Sequence, residues 1–583
     1  MDLECLEWKL PKDFQLPNKL RYIEWNKCPL KFVPSICWPQ TVVELSMQNS
    51  NVHKLWDTIQ NLPSLEKIDL HGCKRLKECP NLAGARNLKF IKLSECESLH
   101  DVHPSIFSLP KIEELDVENC MALKRLCSDH CSPSLHRLWA TGCSNLKEFS
   151  IPMKGGGHGV HSKLELYLLS TALSEVPSTV VHLNNLNLFG FNISYSLSKL
   201  PQNFAHTIAL MDPIKHEDEH DTCIILSRIF PTPAFLCVKE LYFFRCKTLS
   251  KLPDNIHVLQ SLQLLVIQSC GVILSLPESI KNLQQLMQLF ITDCEMLQYV
   301  PPFPPSIVYY CVVNCKSLET ISSLTSELPP RRKQNALSRY RGLYFQFGFH
   351  NCTKLDDHAY EAVLKDLKSR IELVASDEHP NNNGNIFYYL PSKERILNEW
   401  FPHYYSTEAS IIVEVPPNHH KISSSCLVVC MLLSEYRTNF FCKKDEGTFV
   451  FECYLEKGCN EWEWLASSYN RANLSFCLDP FTRLEMESDH VAVWYDPENS
   501  NKIMEAIIKE RKRGTTTCNP ILKFKFKLYA NHKDDEEDVI KGCGIRWMHV
   551  DVNDEGEGFE YDSDDLELEN PEEGEKRAYV GNI

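Results

Sequence analysis

The sequence predicts an α/β solenoid of leucine-rich repeats, curved into a horseshoe and followed by a β-rich domain of jelly-roll or immunoglobulin-like sandwich type. Three observations carry this. An apolar frame anchored on cysteine recurs through the first 328 residues. Beyond it, short β-prone runs alternate with turn residues. The segment from Asp551 to Glu575 then carries 13 acidic residues, too charged and too poor in apolar side chains to build a core, so a disordered tail is expected.

The frame is clearest around Cys73, reading Leu65, Ile68, Leu70, Cys73, Leu76. It returns as Leu88, Ile91, Leu93, Cys96, Leu99, and as Ile112, Leu115, Val117, Cys120, Leu123. Cys143, Cys246, Cys270, Cys294 and Cys315 anchor later copies, and Cys28 and Ser50 earlier ones. Adjacent anchors lie 21 to 24 residues apart, inside the range of leucine-rich repeats. Each unit offers a short strand whose alternate apolar residues it cannot bury alone, so stacking is the way to make a core. Between 150 and 235 the frame loosens around Gly155-Gly156-Gly157 and the run His216 to Asp221, which read as insertions. About 13 or 14 units are expected in all, closing at Cys315.

A cysteine every 23 residues or so is a ladder and not a chelate. Each thiol is expected to bond backbone groups of the next repeat. Cys127, His130 and Cys131 form the nearest approach to a ligand cluster, but no matched second pair accompanies them, and no metal is expected.

Residues between the apolar strand positions face the concave side, where solenoids commonly bind. That column is charged early, as in Lys67-Asp69 and Glu114-Asp116-Glu118, and turns aromatic from Arg137-Trp139 onward. Trp139, Tyr242, Phe244 and Phe290 are therefore the candidate partner-binding residues. Cover by another part of the same chain is the competing reading.

After Leu328-Pro329-Pro330 the repeat stops, and 329–342 reads as a linker. Asp356 to Ala375 has helical periodicity. Strands are expected at Ala409–Val415, Cys426–Leu433, Thr448–Tyr454, Val491–Tyr495, Ile521–Tyr529 and Gly544–Val550. Lys523-Phe524-Lys525-Phe526-Lys527 alternates as a strand with one wet face should.

Function classes are narrowed by what is missing. The formal charge of −16 and short basic runs argue against nucleic acid. No apolar stretch suits a membrane helix or a leader, so an intracellular chain with free thiols is expected. No phosphate-cradling P-loop, G-x-S-x-G elbow or H-E-x-x-H helix occurs, so neither catalysis nor a cofactor is expected.

Specific tokens then point to a family. Leu20-Arg21-Tyr22-Ile23-Glu24-Trp25, Val43-Glu44-Leu45-Ser46-Met47, Lys54-Leu55-Trp56 and Val102-His103-Pro104-Ser105-Ile106 resemble the repeats of plant TIR–NB-ARC–LRR disease resistance proteins. Phe349-His350-Asn351-Cys352, Glu399-Trp400-Phe401 and Ser488-Asp489-His490-Val491 resemble the post-LRR C-JID domain of that class. The resemblance divides the chain into repeats at 1–328, linker at 329–342, a C-JID β-sandwich at 343–552 and the tail at 553–583. It implies the recognition half of an intracellular innate immune receptor, cytoplasmic with the nucleus also open, binding a pathogen effector or guarded host protein. An adaptor or decoy that pairs with a full-length receptor is the alternative. The family's NAD-cleaving TIR and nucleotide-binding modules have no counterpart in these 583 residues.

Overall fold

The computed structural model describes residues 16–549, except 34–37, 57, 153–163, 184–185, 213–221, 323–344, 376–384, 394–398, 403–404, 416–424, 435–447, 459–460, 472–486, 514–518 and 530–538. The expected linker, the two insertions and the acidic tail lie outside the described residues.

One parallel ladder runs along the molecule. Its strands are β1 (Tyr22–Glu24), β2 (Glu44–Ser46), β3 (Lys67–Asp69), β4 (Phe90–Lys92), β5 (Glu114–Asp116), β6 (Arg137–Trp139) and β7 (Glu165–Tyr167). There follow β8 (Leu186–Asn192), β9 (Ala205–Met211), β10 (Glu240–Phe244), β11 (Leu264–Gln268), β12 (Gln288–Thr292) and β13 (Tyr309–Val313). Each pairs with its successor. Inward residues such as Ile68, Ile91, Leu115 and Leu138 stack into one continuous core.

Most ladder strands are turned off at the anchor by a residue in the left-handed region. Lys27, Asn49, Glu95, Asn119, Arg245, Ser269, Asp293 and Asn314 all have φ between 48° and 61°. Side chains meet a steric cost there, which the recurrent tight turn imposes on most repeats. Gly72 and Gly142 meet it without strain, and a Cβ at either would lie within 2.2 Å of the preceding repeat's Asn49 or Asn119 side chain.

The anchor thiols run the other way from expectation. Cys73 donates to the Met47 carbonyl at 3.0 Å, Cys96 to Leu70 at 3.3 Å, Cys120 to Leu93 at 3.1 Å and Cys143 to Val117 at 3.1 Å. The acceptor lies in the preceding repeat, three residues before that repeat's own anchor. Burial holds these thiols protonated, with Cys73 raised to about 11 and Cys143 to about 12. The anchor thiols Cys73, Cys96, Cys120 and Cys143 form no disulfide.

The ladder does not stop at Cys315. Strand β14 (Phe345–His350) pairs in parallel with β13, and β15 (Ile386–Pro391) with β14. Asn351 has φ 55° and Cys352 donates to the Val312 carbonyl at 3.7 Å, so the repeat's turn and anchor both persist. Phe347, Phe349, Cys352 and Leu355 keep the apolar spacing. After β15 the direction reverses. Strands β16 (Tyr405–Ser406), β17 (Ser410–Glu414), β18 (Ser425–Leu433), β19 (Thr448–Gly458), β20 (Glu461–Arg471), β21 (His490–Tyr495), β22 (Ile521–Tyr529) and β23 (Ile540–His549) follow. The order β15-β21-β18-β23-β16 extends the ladder with antiparallel pairings, giving one 19-stranded sheet. A second, four-stranded sheet has the order β17-β22-β19-β20.

Two cores result. The solenoid core continues beneath β14, β15, β18 and β21, where the helix Asp357–Ala375 supplies Tyr360, Val363, Leu367 and Ile371. The other core joins Phe387, Val429 and Trp494 of the large sheet with Phe449, Phe451, Phe524 and Phe526 of the small one.

Candidate functional site: the concave face

Register fixes which side chains share the concave face. Glu24, Ser46, Asp69, Lys92, Asp116, Trp139, Tyr167, Gly190, Ala209, Tyr242, Val266, Phe290, Cys311, Gly348 and Tyr389 stand in one row across the ladder. The row is polar through Asp116 and apolar or small from Trp139.

The polar end is tied across repeats. Lys67 reaches Glu44 at 2.6 Å, and Gln48 donates to Asp69 at 2.8 Å. Arg137 lies between two carboxylates, 2.8 Å from Glu114 and 3.3 Å from Glu165. Burial disfavours its charge, yet the bond to Glu114 and the field of both carboxylates leave its pKa raised. Burial raises the Asp116 carboxyl, against the bond it accepts from the Glu118 amide.

At the junction, Trp139 and Tyr167 stack with ring centroids 6.1 Å apart and planes 22° from parallel. Both are half-buried. Burial, followed by the charge of Glu165, raises the Tyr167 phenol. This pair therefore presents aromatic area beside an Arg–Glu network, a combination suited to a protein surface.

The four sequence candidates part company here. Trp139 stays half-buried on the concave face. Tyr242, Phe244 and Phe290 are buried and belong to the second core, which also contains Phe387, Tyr389 and Trp494. The chain supplies its own cover for those three, because the ladder's late concave face passes directly into the core shared with the four-stranded sheet. Tyr167 escaped sequence reasoning since the frame is loose there, although Leu164-x-Leu166-x-Leu168 alternates and puts Tyr167 outward. Leu264 and Val266, also in the second core, were passed over in an intact repeat.

The junction with the antiparallel strands is hydrogen-bonded along the turns. Asn314 donates to Asp293 and Asn351 to Asn314, each at 2.8 Å. The Asn351 amide donates to His490 at 3.0 Å, and Asn351 accepts from the Glu487 amide at 3.1 Å. His350 and His490 sandwich the Tyr389 ring at centroid distances of 4.5 and 5.1 Å. Burial pulls their pKa values down to about 3 and about 4, so both are neutral in ordinary conditions. On the other side of the sheet, Arg370 bonds Asp366 at 2.9 Å and lies over the Phe347 ring at 4.6 Å, while Tyr388 also donates to Asp366.

Among the described residues no group of three or more His, Cys, Asp or Glu side chains could hold a metal, and no helix is long and apolar enough to cross a membrane.

Residues 40–129 match the family model described as the Endo-beta-N-acetylglucosaminidase EndoS LRR domain. The disease resistance-like protein CSA1 of Arabidopsis thaliana is 26% identical over 546 residues, covering 89% of this chain and 40% of that protein. The disease resistance-like protein DSC1 of the same plant is 25% identical, covering 93% of this chain and 46% of its own length. The chain is homologous to plant disease resistance proteins. Disease resistance protein RPS6 of Arabidopsis thaliana reaches 41% identity over 145 residues, 25% of this chain and 13% of that protein. The chain spans less than half the length of these relatives. Among solved structures, the functional domain of InlJ from Listeria monocytogenes is 11% identical, covering 57% of this chain and 75% of that one at a TM-score of 0.32.

Proposed function

We propose that this chain is the non-catalytic recognition portion of a plant intracellular immune receptor, binding a pathogen effector or guarded host protein. The region after the repeats is read as the post-LRR C-JID domain, seated on the end of the ladder. The partner engages the concave face at Trp139 and Tyr167, with Arg137 and its carboxylates setting orientation. One observation carries this choice: of the four aromatic candidates, Trp139 alone lies outside the two-sheet core, stacked on Tyr167.

Rigid aromatics cost little entropy when covered, and a hot-spot aromatic is worth about 2–4 kcal/mol on truncation. The test is calorimetric titration of this chain with effectors from a pathogen that its source plant resists. A binder whose affinity drops roughly thirtyfold or more in Trp139→Ala supports the reading. A binder indifferent to both Trp139→Ala and Tyr167→Ala sinks it.

A further inference from the structure

The outer face of the four-stranded sheet has an unusual make-up for a wet surface. Trp464 and Tyr469 are 58% and 61% exposed, and Ile412 is 52% exposed. They share the face with Trp462, Tyr454, Lys523, Lys525 and Lys527 by register. A bulge places the tryptophans there. Cys453 pairs with Ala466 but Tyr454 with Trp464, so the extra residue Leu465 turns Trp462 and Trp464 outward from a strand whose Ala466 and Ser468 point in.

The lysines on this face differ in what they touch. Lys527 is paired with Glu452 at 2.9 Å, the carboxylate that also accepts from Tyr454 at 2.9 Å. Lys523 and Lys525 instead sit over the rings of Trp462 and Tyr454, at 5.5 and 5.6 Å. Among the described residues neither has a carboxylate within ion-pair distance. Of the nearby acids, Glu463 is held by Lys457 at 3.1 Å and Glu414 accepts from Asn519 at 2.9 Å. The face thus offers two cations and a broad aromatic surface, which suits an extended segment with alternating acids and apolar residues.

The sequence contains such a segment. Glu557 to Glu569 reads Glu-Gly-Phe-Glu-Tyr-Asp-Ser-Asp-Asp-Leu-Glu-Leu-Glu, with Phe559 and Tyr561, then Leu566 and Leu568, in period-2 spacing among acids. It begins eight residues after β23 ends at His549, and β23 packs against β17 and β22 of the small sheet. Eight extended residues reach about 26 Å, against about 14 Å across four strands and about 10 Å between the packed sheets. Reach is no obstacle, and tethering makes the effective concentration of the segment about millimolar.

We propose that the acidic segment 557–569 docks in cis on the lysine-and-aromatic face of the four-stranded sheet. Its carboxylates meet Lys523 and Lys525, and its aromatic and leucine side chains cover Trp464 and Tyr469. The docked tail excludes any other anionic partner from that face.

Carbodiimide cross-linking of the full chain, as an equal mixture of isotopically light and heavy protein, tests this. Links from Lys523 or Lys525 to 557–569 are expected within single chains, falling about tenfold between low salt and 0.5 M salt as the charges are screened. Links only between light and heavy chains would replace the cis tail with a second copy and overturn the proposal. So would an absence of tail links. In a second measurement, the full chain carrying Asp562→Asn, Asp564→Asn, Asp565→Asn, Glu567→Gln and Glu569→Gln is compared by hydrogen exchange. Amides of β20 and β22 are expected to exchange about fivefold faster than in the parent; unchanged exchange in both strands overturns the docking.

Discussion

The two ends of the concave face are built on the same ladder and behave oppositely. From β1 to β5 the outward side chains are Glu24, Ser46, Asp69, Lys92 and Asp116, and the strands are three residues long. From β10 to β15 they are Tyr242, Val266, Phe290, Cys311, Gly348 and Tyr389, on strands of five or six residues. Around the first set, neighbouring repeats are tied by the charge pairs Lys67–Glu44 and Arg137–Glu114, whereas the second lines a hydrophobic core shared with another sheet. A repeat thus specifies an inner face, while its outer face is free to become either a surface or the foundation of a second core. Trp139 and Tyr167 stand where one use gives way to the other.

The comparison breaks if the late aromatics prove dispensable. Phe290→Ala and Tyr242→Ala should each lower stability by about 3–5 kcal/mol, as large-to-small changes in a packed core do. Chemical denaturation of the full chain would show it, and a loss below 1 kcal/mol would mean the two-sheet core is not cohesive there. Arg370→Ala should cost a similar amount, about 3–5 kcal/mol, because buried Asp366 would lose its guanidinium and keep the Tyr388 hydroxyl alone among the described residues. Arg370→Lys should recover little, since the guanidinium also lies over Phe347.

Acid sharpens the same contrast at the junction. His350 and His490 titrate near 3 and 4 when folded but near 6.5 when unfolded. Their depressed values mean the unfolded chain binds protons first as pH falls. Stability is therefore full above about 6.5 and declines by up to about 1.4 kcal/mol per pH unit per histidine on going down towards 4. A melting temperature that does not respond between pH 6.5 and 4.5, in the parent or in His490→Gln, would contradict that burial. The smallest effects belong to the open end. Trp139→Ala should cost about 1 kcal/mol or less in stability despite its expected effect on binding. Arg137→Ala should change stability by about 0.2–1 kcal/mol, with salt reducing the difference.

Most of the ladder was legible because its signal is local and repeated. Cys73, Cys96 and Cys120 recur with their leucines at fixed spacing, and each repeat buries them in the same way. The helix Asp357–Ala375 and strand β22 were also readable, at 3.6- and 2-residue periods. Strand β14 was passed over for a physical reason. Its anchor Cys352 comes 37 residues after Cys315 instead of about 23, so a fixed period misses it although its turn and frame are intact. Strand β20 was missed since its outward Trp462 and Trp464 and its inward Ala466 and Ser468 all fall on even positions, so one period-2 pattern does not run through it until the bulge at Leu465 is allowed for. The thiol direction was misread because which neighbour a turn faces depends on backbone path, and composition carries no trace of that.

The sequence by itself determined that this chain stacks repeats, since every unit exposes apolar residues that its neighbour alone can cover. It also determined that the concave column changes from charge to aromatic near Trp139. Tertiary structure decided what that change means. Burying Tyr242, Phe244 and Phe290 depends on strands more than a hundred residues away, and no local pattern distinguishes an aromatic awaiting a partner from one already covered by its own chain.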